Sequence, residues 1–511
     1  MKYIFLIVSF FLPFAANLFA DTPPNVLIIL ADDMGYSDLG CMGSEIKTPY
    51  LDRLARKGVL FTQAYNTAKC FPSRACLLTG TWFQETDRDF ANTTTLGEVL
   101  QVSNYHTLWA GKHHATFDPR TRGFDRFYGF LGGAINSWNP GNSPAKGASN
   151  PARIEHYQWI LDDEKITEPF VPDRADWYAT DVFTDKSIMW LEETVGDDKP
   201  FFLYLAYNAP HWPLHAPEES IEACRGRYDV GYEVIRNNRY ERQIKTGLFD
   251  PKIAPLSPPE YDQPWEALSD ELKCRRIEQM EVYAAMVERM DENIGRVIDL
   301  LDQQGRLENT IVFFLNDNGA CPTDPAHRVG NYRTDVKIGG VDSYEAYHQG
   351  WACVSNTPLR RFKTKSHEGG VCTPMIVHWP KGIVSPGRIC REPVHLVDIP
   401  PTVAALTGTN NPATGQGINI NNIFQNKPLG REGNLYWQWG NGNAIRKGDM
   451  KLVRHSGHDW ELYDLAKDRT ELNNLAKEMP ELVGALEKAW NAWWIKCTGS
   501  EFKPKTKSEI K

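Results

Sequence analysis

Five short apolar runs, each bounded by turn-forming residues, punctuate the chain at residues 25–30, 106–110, 201–206, 310–315 and 374–379. None alternates polar with apolar positions, so each predicts a strand covered on both faces. Helical patterns lie between them. In the clearest, Met280, Tyr283, Ala284, Val287, Ile294, Val297, Ile298 and Leu301 fall on one face of a long helix that ends near Gly305. Strands alternating with helices predict an α/β fold, doubly wound around a large mixed, mostly parallel sheet.

Residues 400–408 read as a helix with Pro400 at its start and Gly408 at its end, followed by an Asn/Gly/Pro-rich stretch that marks a boundary near 410. Beyond it, residues 435–439, 450–454 and 461–464 predict short antiparallel strands, and 480–494 a helix packed on them. The Lys-rich end predicts a flexible basic tail. The expected divisions are 1–20, 21–410, 411–497 and 498–511.

The first of these has Lys2 ahead of the apolar residues 4–12, a break at Pro13 and Leu18-Phe-Ala20 as a cleavage site. That is the pattern of a signal peptide, too short to span a bilayer. A periplasmic or secreted protein without stable membrane association is expected. A net charge of -9 over 511 residues offers no basic field for nucleic acid. Ten cysteines scatter from Cys41 to Cys497 without paired or metal-type spacing, so no disulfide connectivity can be read from them.

Candidate chemistry sits where the strands end. Residues 25–30 run into Asp32 and Asp33, 310–315 into Asp317 and Asn318, 106–110 into Lys112, His113 and His114, and 201–206 towards His211. Ligands of open α/β sheets bind at this carboxyl edge. A single such pair, with Asp32 or Asp317 capping the following helix, is the more ordinary reading. Two oxygen-bearing pairs after two apolar strands point instead to one hard cation, Ca²⁺ or Mg²⁺. Lys112 then reads as an anion clamp and the histidines as proton-transfer groups, although a structural role for each histidine remains open.

The nucleophile missing from this set lies in Cys70-Phe-Pro-Ser-Arg-Ala-Cys-Leu-Leu-Thr-Gly80. The run resembles the sulfatase signature in its cysteine form. The resemblance continues in Asp32-Asp-Met-Gly-Tyr-Ser-Asp-Leu-Gly-Cys41, Thr48-Pro-Tyr-Leu-Asp-Arg-Leu-Ala55, Gly123-Phe-Asp-Arg-Phe-Tyr-Gly129, Ala209-Pro-His-Trp-Pro-Leu-His-Ala-Pro217 and Glu368-Gly-Gly370, with the stretch 226–265 closest to the bacterial arylsulfatase branch. It implies an alkaline phosphatase-like fold and hydrolysis of an aryl or carbohydrate sulfate monoester.

By the same resemblance, a maturation enzyme oxidises Cys70 to formylglycine (3-oxoalanine), and Asp32, Asp33, Asp317, Asn318 and residue 70 hold one Ca²⁺. Arg74 steadies residue 70, Lys112 and Lys363 clamp the sulfate, and His114 and His211 carry protons. Lys365, two residues on, competes for the place of Lys363. His113 stands where the family commonly has a bulky aromatic, which leaves the local pocket wall open. The rival reading within the superfamily is a phosphonate monoester or phosphodiester hydrolase. Among sixteen tryptophans, Trp138, Trp159, Trp212 and Trp351 lie near loops suited to stacking on sugar rings.

Overall fold

The computed structural model describes residues 22–86, 89–139, 158–162, 164–166, 170–261, 263–327, 333–409, 416–440, 442–455 and 457–503. The expected export segment at 1–20, the boundary at 410 and the end of the basic tail lie outside the described residues. Among those described, no helix is long and apolar enough to cross a membrane.

In chain order the large sheet contains β1 (Asn25–Ala31), β2 (Val59–Tyr65), β3 (His106–Lys112), β4 (Arg126–Phe130), β5 (Trp159–Leu161), β6 (Glu164–Ile166), β7 (Phe201–Ala206), β8 (Thr310–Asn316), β9 (Cys372–His378), β10 (Arg388–Cys390) and β11 (Val394–His395). Their spatial order is β10-β2-β9-β8-β1-β7-β3-β4-β5-β6, with β11 also on β2. The central strands β8, β1, β7, β3 and β4 are mutually parallel, while β9 enters antiparallel to both β2 and β8. All five apolar runs are therefore strands, and the sheet is mixed and mostly parallel as expected.

Burial explains why these runs carry no alternation. Val26 to Ala31 of β1 and Phe201 to Ala206 of β7 are wholly inaccessible, because helices cover both faces. The longest of these helices, Asp270–Gln303, starts at a Ser269 cap that accepts from Leu272 N–H. It lays Met280, Tyr283, Ala284, Val287, Ile294 and Val297 into the core. Ile399–Thr407 ends at Gly408 in the left-handed region, at φ 69°.

The second sheet is antiparallel, in the order β12 (Leu435–Trp439), β13 (Gly442–Lys447), β14 (Met450–Arg454), β15 (Glu461–Asp464). The helix Pro480–Thr498 closes it, with Trp490 Nε1–H donating to the Trp437 carbonyl at 3.1 Å. A charged cluster cut off from water joins this sheet to the large one. Glu368 accepts from Lys451 Nζ at 2.7 Å, from Tyr65 Oη at 2.8 Å and from Arg469, while Lys451 also reaches Glu471 at 2.9 Å. Burial favours the neutral acid, but Arg469 and Lys451 outweigh it and hold the Glu368 carboxyl at about 2.

Removing one member of such a cluster strands its partners without water or counter-charge. Lys451→Met should cost about 3–5 kcal/mol and open the small sheet before the large one. Hydrogen exchange by mass spectrometry checks this. Unchanged protection of residues 442–464 would mean that the cluster contributes nothing to docking.

Candidate active site

Because β8, β1, β7 and β3 run side by side in one direction, their carboxyl ends open on one edge. Asp32 follows β1 and donates its N–H to the Ala209 carbonyl at 3.0 Å, tying that loop to the segment bearing His211. Asp33 adopts φ 66°, which turns the chain sharply, and its N–H reaches Asp317 Oδ1 at 3.3 Å. Asn318 Nδ2–H donates to Asp33 Oδ1 at 2.7 Å. Asn316, unmarked in the sequence, fastens the same two loops by accepting from Met34 N–H at 3.2 Å.

Cys70 opens the helix Cys70–Thr79, with Lys69 extended at its N-cap. Every residue of this helix is buried, so its face towards the strand ends is fixed by the core behind it. One turn later Arg74 donates from Nε and Nη2 to Asp317 Oδ2, at 3.2 and 2.9 Å, and from Nη1 to the Lys112 carbonyl at 3.1 Å. Lys112 Nζ donates to Asp32 Oδ2 and Lys363 Nζ to Asp33 Oδ1. Three carboxylates thus face three cations out of reach of water.

The ionisation states follow from that arrangement. Burial favours a protonated Asp33, yet His211, Lys363 and Lys112 overcome it and hold this carboxyl far below the usual range. Asp317 is pushed up to about 6 by burial and by Asp32, against Arg74. Burial would also raise the Cys70 thiol, but Lys363, Lys69 and Lys112 bring it down to about 6. Lys363 stays charged, since Asp33 and Cys70 more than offset its burial.

His211 is held at about 4 by burial, against the pull of Asp33, whose Oδ2 lies 3.3 Å from Nε2. Its Nδ1–H donates to the Trp212 carbonyl, so Nε2 is the nitrogen free to exchange a proton with a ligand. His114, at φ 66°, is kept neutral by burial and by Lys112 and Arg74. Its ring lies tightly over Gly133, where an added Cβ would come within 2.6 Å of Nε2.

The donor set fits a hard cation. Asp32, Cys70 and Asp317 each bring a ligand atom within 4.8 Å of the others, as do Asp32, Asp33 and His211. Asp32 Oδ1, Asp33 Oδ2 and Asn318 Oδ1 are buried and make no hydrogen bond. Unsatisfied buried oxygens of this kind are what an oxygen-seeking ion requires.

The loop bearing Lys363 is folded tightly onto these strand ends. Lys363 N–H donates to Ala320 O at 3.0 Å, and Gly319 N–H to Gly370 O at 3.1 Å. At Gly319 a Cβ would stand 1.8 Å from the Gly369 carbonyl, so this approach tolerates no side chain. Lys365 instead donates to His455 Nε2 at 2.6 Å, which leaves Lys363 as the lysine on the acids.

His113 forms no pocket wall. It is buried, stacked on Trp109 at 4.7 Å and met edge-on by Phe117 at 4.4 Å. The ring therefore fills an aromatic slot in the core, as a larger aromatic would. Trp159 and Trp351 are also core residues, whereas Trp138 and Trp212 are partly accessible. All ten cysteines are unpaired thiols.

The family profile described as Sulfatase matches residues 24–409, and one described as N-sulphoglucosamine sulphohydrolase, C-terminal, matches 361–492. An uncharacterized sulfatase of Schizosaccharomyces pombe is 33% identical over 91% of this chain and 92% of its own length. An arylsulfatase of Klebsiella aerogenes is 33% identical over 78% of this chain and 90% of its own. The solved structure of Ps i-CgsB in complex with k-i-k-neocarrahexaose superposes with a TM-score of 0.66 at 25% identity, covering 94% of this chain and 95% of that one. With the profile spanning both the strand-end acids and the Cys70 helix, the chain belongs to the sulfatase family and is a sulfuric ester hydrolase.

Proposed function

We propose that the protein is an exported, calcium-dependent sulfatase that cleaves a sulfate monoester with formylglycine made from Cys70. The observation that carries this reading is the place of Cys70: a buried thiol at a helix start, grouped with Asp32 and Asp317 and ringed by Lys363, Lys69 and Lys112. An anionic ester entering here meets cations at the point where a nucleophile must approach it.

Asp32, Asp33, Asp317 and Asn318 are the residues that would hold calcium, and the ion when bound supplies positive charge that polarises the ester. Residue 70, once matured to formylglycine and hydrated, would supply two hydroxyls on one carbon, one as the nucleophile and one as the proton donor for sulfate release. Arg74 fixes the helix end and Asp317 together. Lys112 and Lys363 neutralise the sulfate oxygens, lowering the cost of bringing one anion to another. His211, assisted by Lys363, delivers a proton from Nε2 to the leaving alcohol; the arriving ester adds the negative charge that draws this proton onto a ring otherwise neutral. His114, neutral through burial, accepts the proton of the second hydroxyl.

For the alcohol we favour a saccharide over an aryl group. A structural relative binds k-i-k-neocarrahexaose, and Trp138 and Trp212 are partly accessible on this chain. The pattern of residues 1–20 supports export to a periplasmic or external space.

The decisive experiment joins mass spectrometry of the peptide around residue 70 with turnover, after expression alongside a maturation enzyme. The aldehyde form is expected, with aryl and saccharide sulfates turned over faster than an aryl phosphodiester. A plain thiol accompanied by full sulfatase activity would refute the mechanism. Stripping the matured enzyme with a calcium-selective chelator should lower kcat by about a hundredfold or more, with calcium restoring it; an unaffected rate would remove calcium from the reading. Expressed in a secreting host, the mature chain should begin at Asp21, and retention of Met1 to Ala20 in an active, exported product would contradict cleavage.

A further inference from the structure

Asn356 ends the helix His348–Ser355 and is inaccessible to water. Its side-chain amide makes four hydrogen bonds, the most an amide can form. Oδ1 accepts from Tyr36 N–H and from Ala320 N–H, both at 3.2 Å. Nδ2 donates to the Arg361 carbonyl at 2.9 Å and to the Gly369 carbonyl at 2.8 Å. All four partners are main-chain groups of fixed polarity, so a flipped amide would face two N–H groups with its own N–H and two carbonyls with its oxygen.

Those partners lie on three separate loops. Tyr36 is on the loop after β1 that carries Asp32 and Asp33, Ala320 follows Asp317 and Asn318, and Arg361 and Gly369 bracket Lys363. The third loop needs such a hold. Arg361 and the β-branched Thr364 both sit in the left-handed region, at φ 68° and 74°, on either side of Lys363. A loop strained at two positions keeps its shape only where its surroundings over-determine it.

We propose that Asn356 is a positioning residue: its amide sets the Lys363 loop in register with the two acid-bearing loops, so that Lys363 Nζ meets the reacting sulfate correctly placed. This rests on the role given above to Lys363 beside His211 in leaving-group departure. Asn356 touches neither substrate nor metal ligand side chain; it acts through the main chain of all three loops.

Asn356→Asp separates the two halves of the clamp. It keeps the acceptors for Tyr36 and Ala320 and removes both donors to the Lys363 loop. On enzyme quantified for formylglycine by mass, kcat with phenyl sulfate should fall about tenfold or more, with KM changed less than about threefold. The loss should shrink with 4-nitrophenyl sulfate, whose alcohol leaves without help. Hydrogen exchange of residues 360–370 should accelerate in the variant. Kinetics within about twofold of wild type on both esters, while Lys363→Ala is impaired, would overturn the proposal. Full activity of Lys363→Ala would instead retire the role of Lys363 and leave the clamp to the exchange measurement. Should the variant not fold, the wild-type amides of Tyr36 and Ala320 decide: slow exchange supports the clamp, and exchange as fast as in an open loop overturns it.

Discussion

Everything at the carboxyl edge answers to one constraint: Asp32, Asp33 and Asp317 have been taken out of water, and each must find charge compensation within the protein. Arg74 meets Asp317, Lys112 meets Asp32 and Lys363 meets Asp33. A carboxylate buried this way is costly unless paired, so the positions of the three cations are dictated by the acids. Lys363 and Lys112 also depress the Cys70 thiol, and burial together with Lys112 and Arg74 keeps His114 neutral. The anion binding, the hard-ion site and the activation of residue 70 proposed above would thus all follow from a single electrostatic arrangement.

The sheet meets that constraint with parallel strands, which end together, and with loops too tightly packed to move independently. Gly319 admits the Gly369 carbonyl, Asn316 fastens Met34, and Asn356 joins three loops through one amide. Further out, Asp38 accepts from Arg239 Nη1 at 2.6 Å and from Tyr283 Oη at 2.6 Å, bracing the continuation of the β1 loop. Precision at the centre comes from these buried polar contacts, because apolar packing alone would not fix the height of a loop.

Much of this was legible in the sequence. An apolar run that shows no alternation announces a strand covered on both sides, and the acids after β1 and β8 announce what such strands deliver. β2 was not legible, since Thr62 and Gln63 interrupt its apolar character, nor was β4, which carries Arg126 and Gly129. β13, with Asn443 and Arg446, hid between two recognisable strands for the same reason. Asn316 and Asn356 escaped because an asparagine acquires its role from main-chain groups distant in sequence. Glu368 stood out in its motif, but its partners Lys451 and Arg469 are set by the docking of a second sheet. His113 shows the reverse case, where a residue that looked like a change in the site is a change in the core.

The buried cluster around Glu368 also bears on the order in which the protein is made. Its neutralising cations lie 83 and 101 residues downstream, at Lys451 and Arg469. A ribosome delivers the acids of β1, the Cys70 helix and the Lys363 loop well before it delivers these two residues. Until they emerge, Glu368 cannot be withdrawn from water at a tolerable cost, and the loop preceding it lacks this one anchor. The strand-end site would therefore gain its last anchor only when the second sheet docks, and Cys70, only 1% exposed once the fold has closed, would have to be reached before that closure.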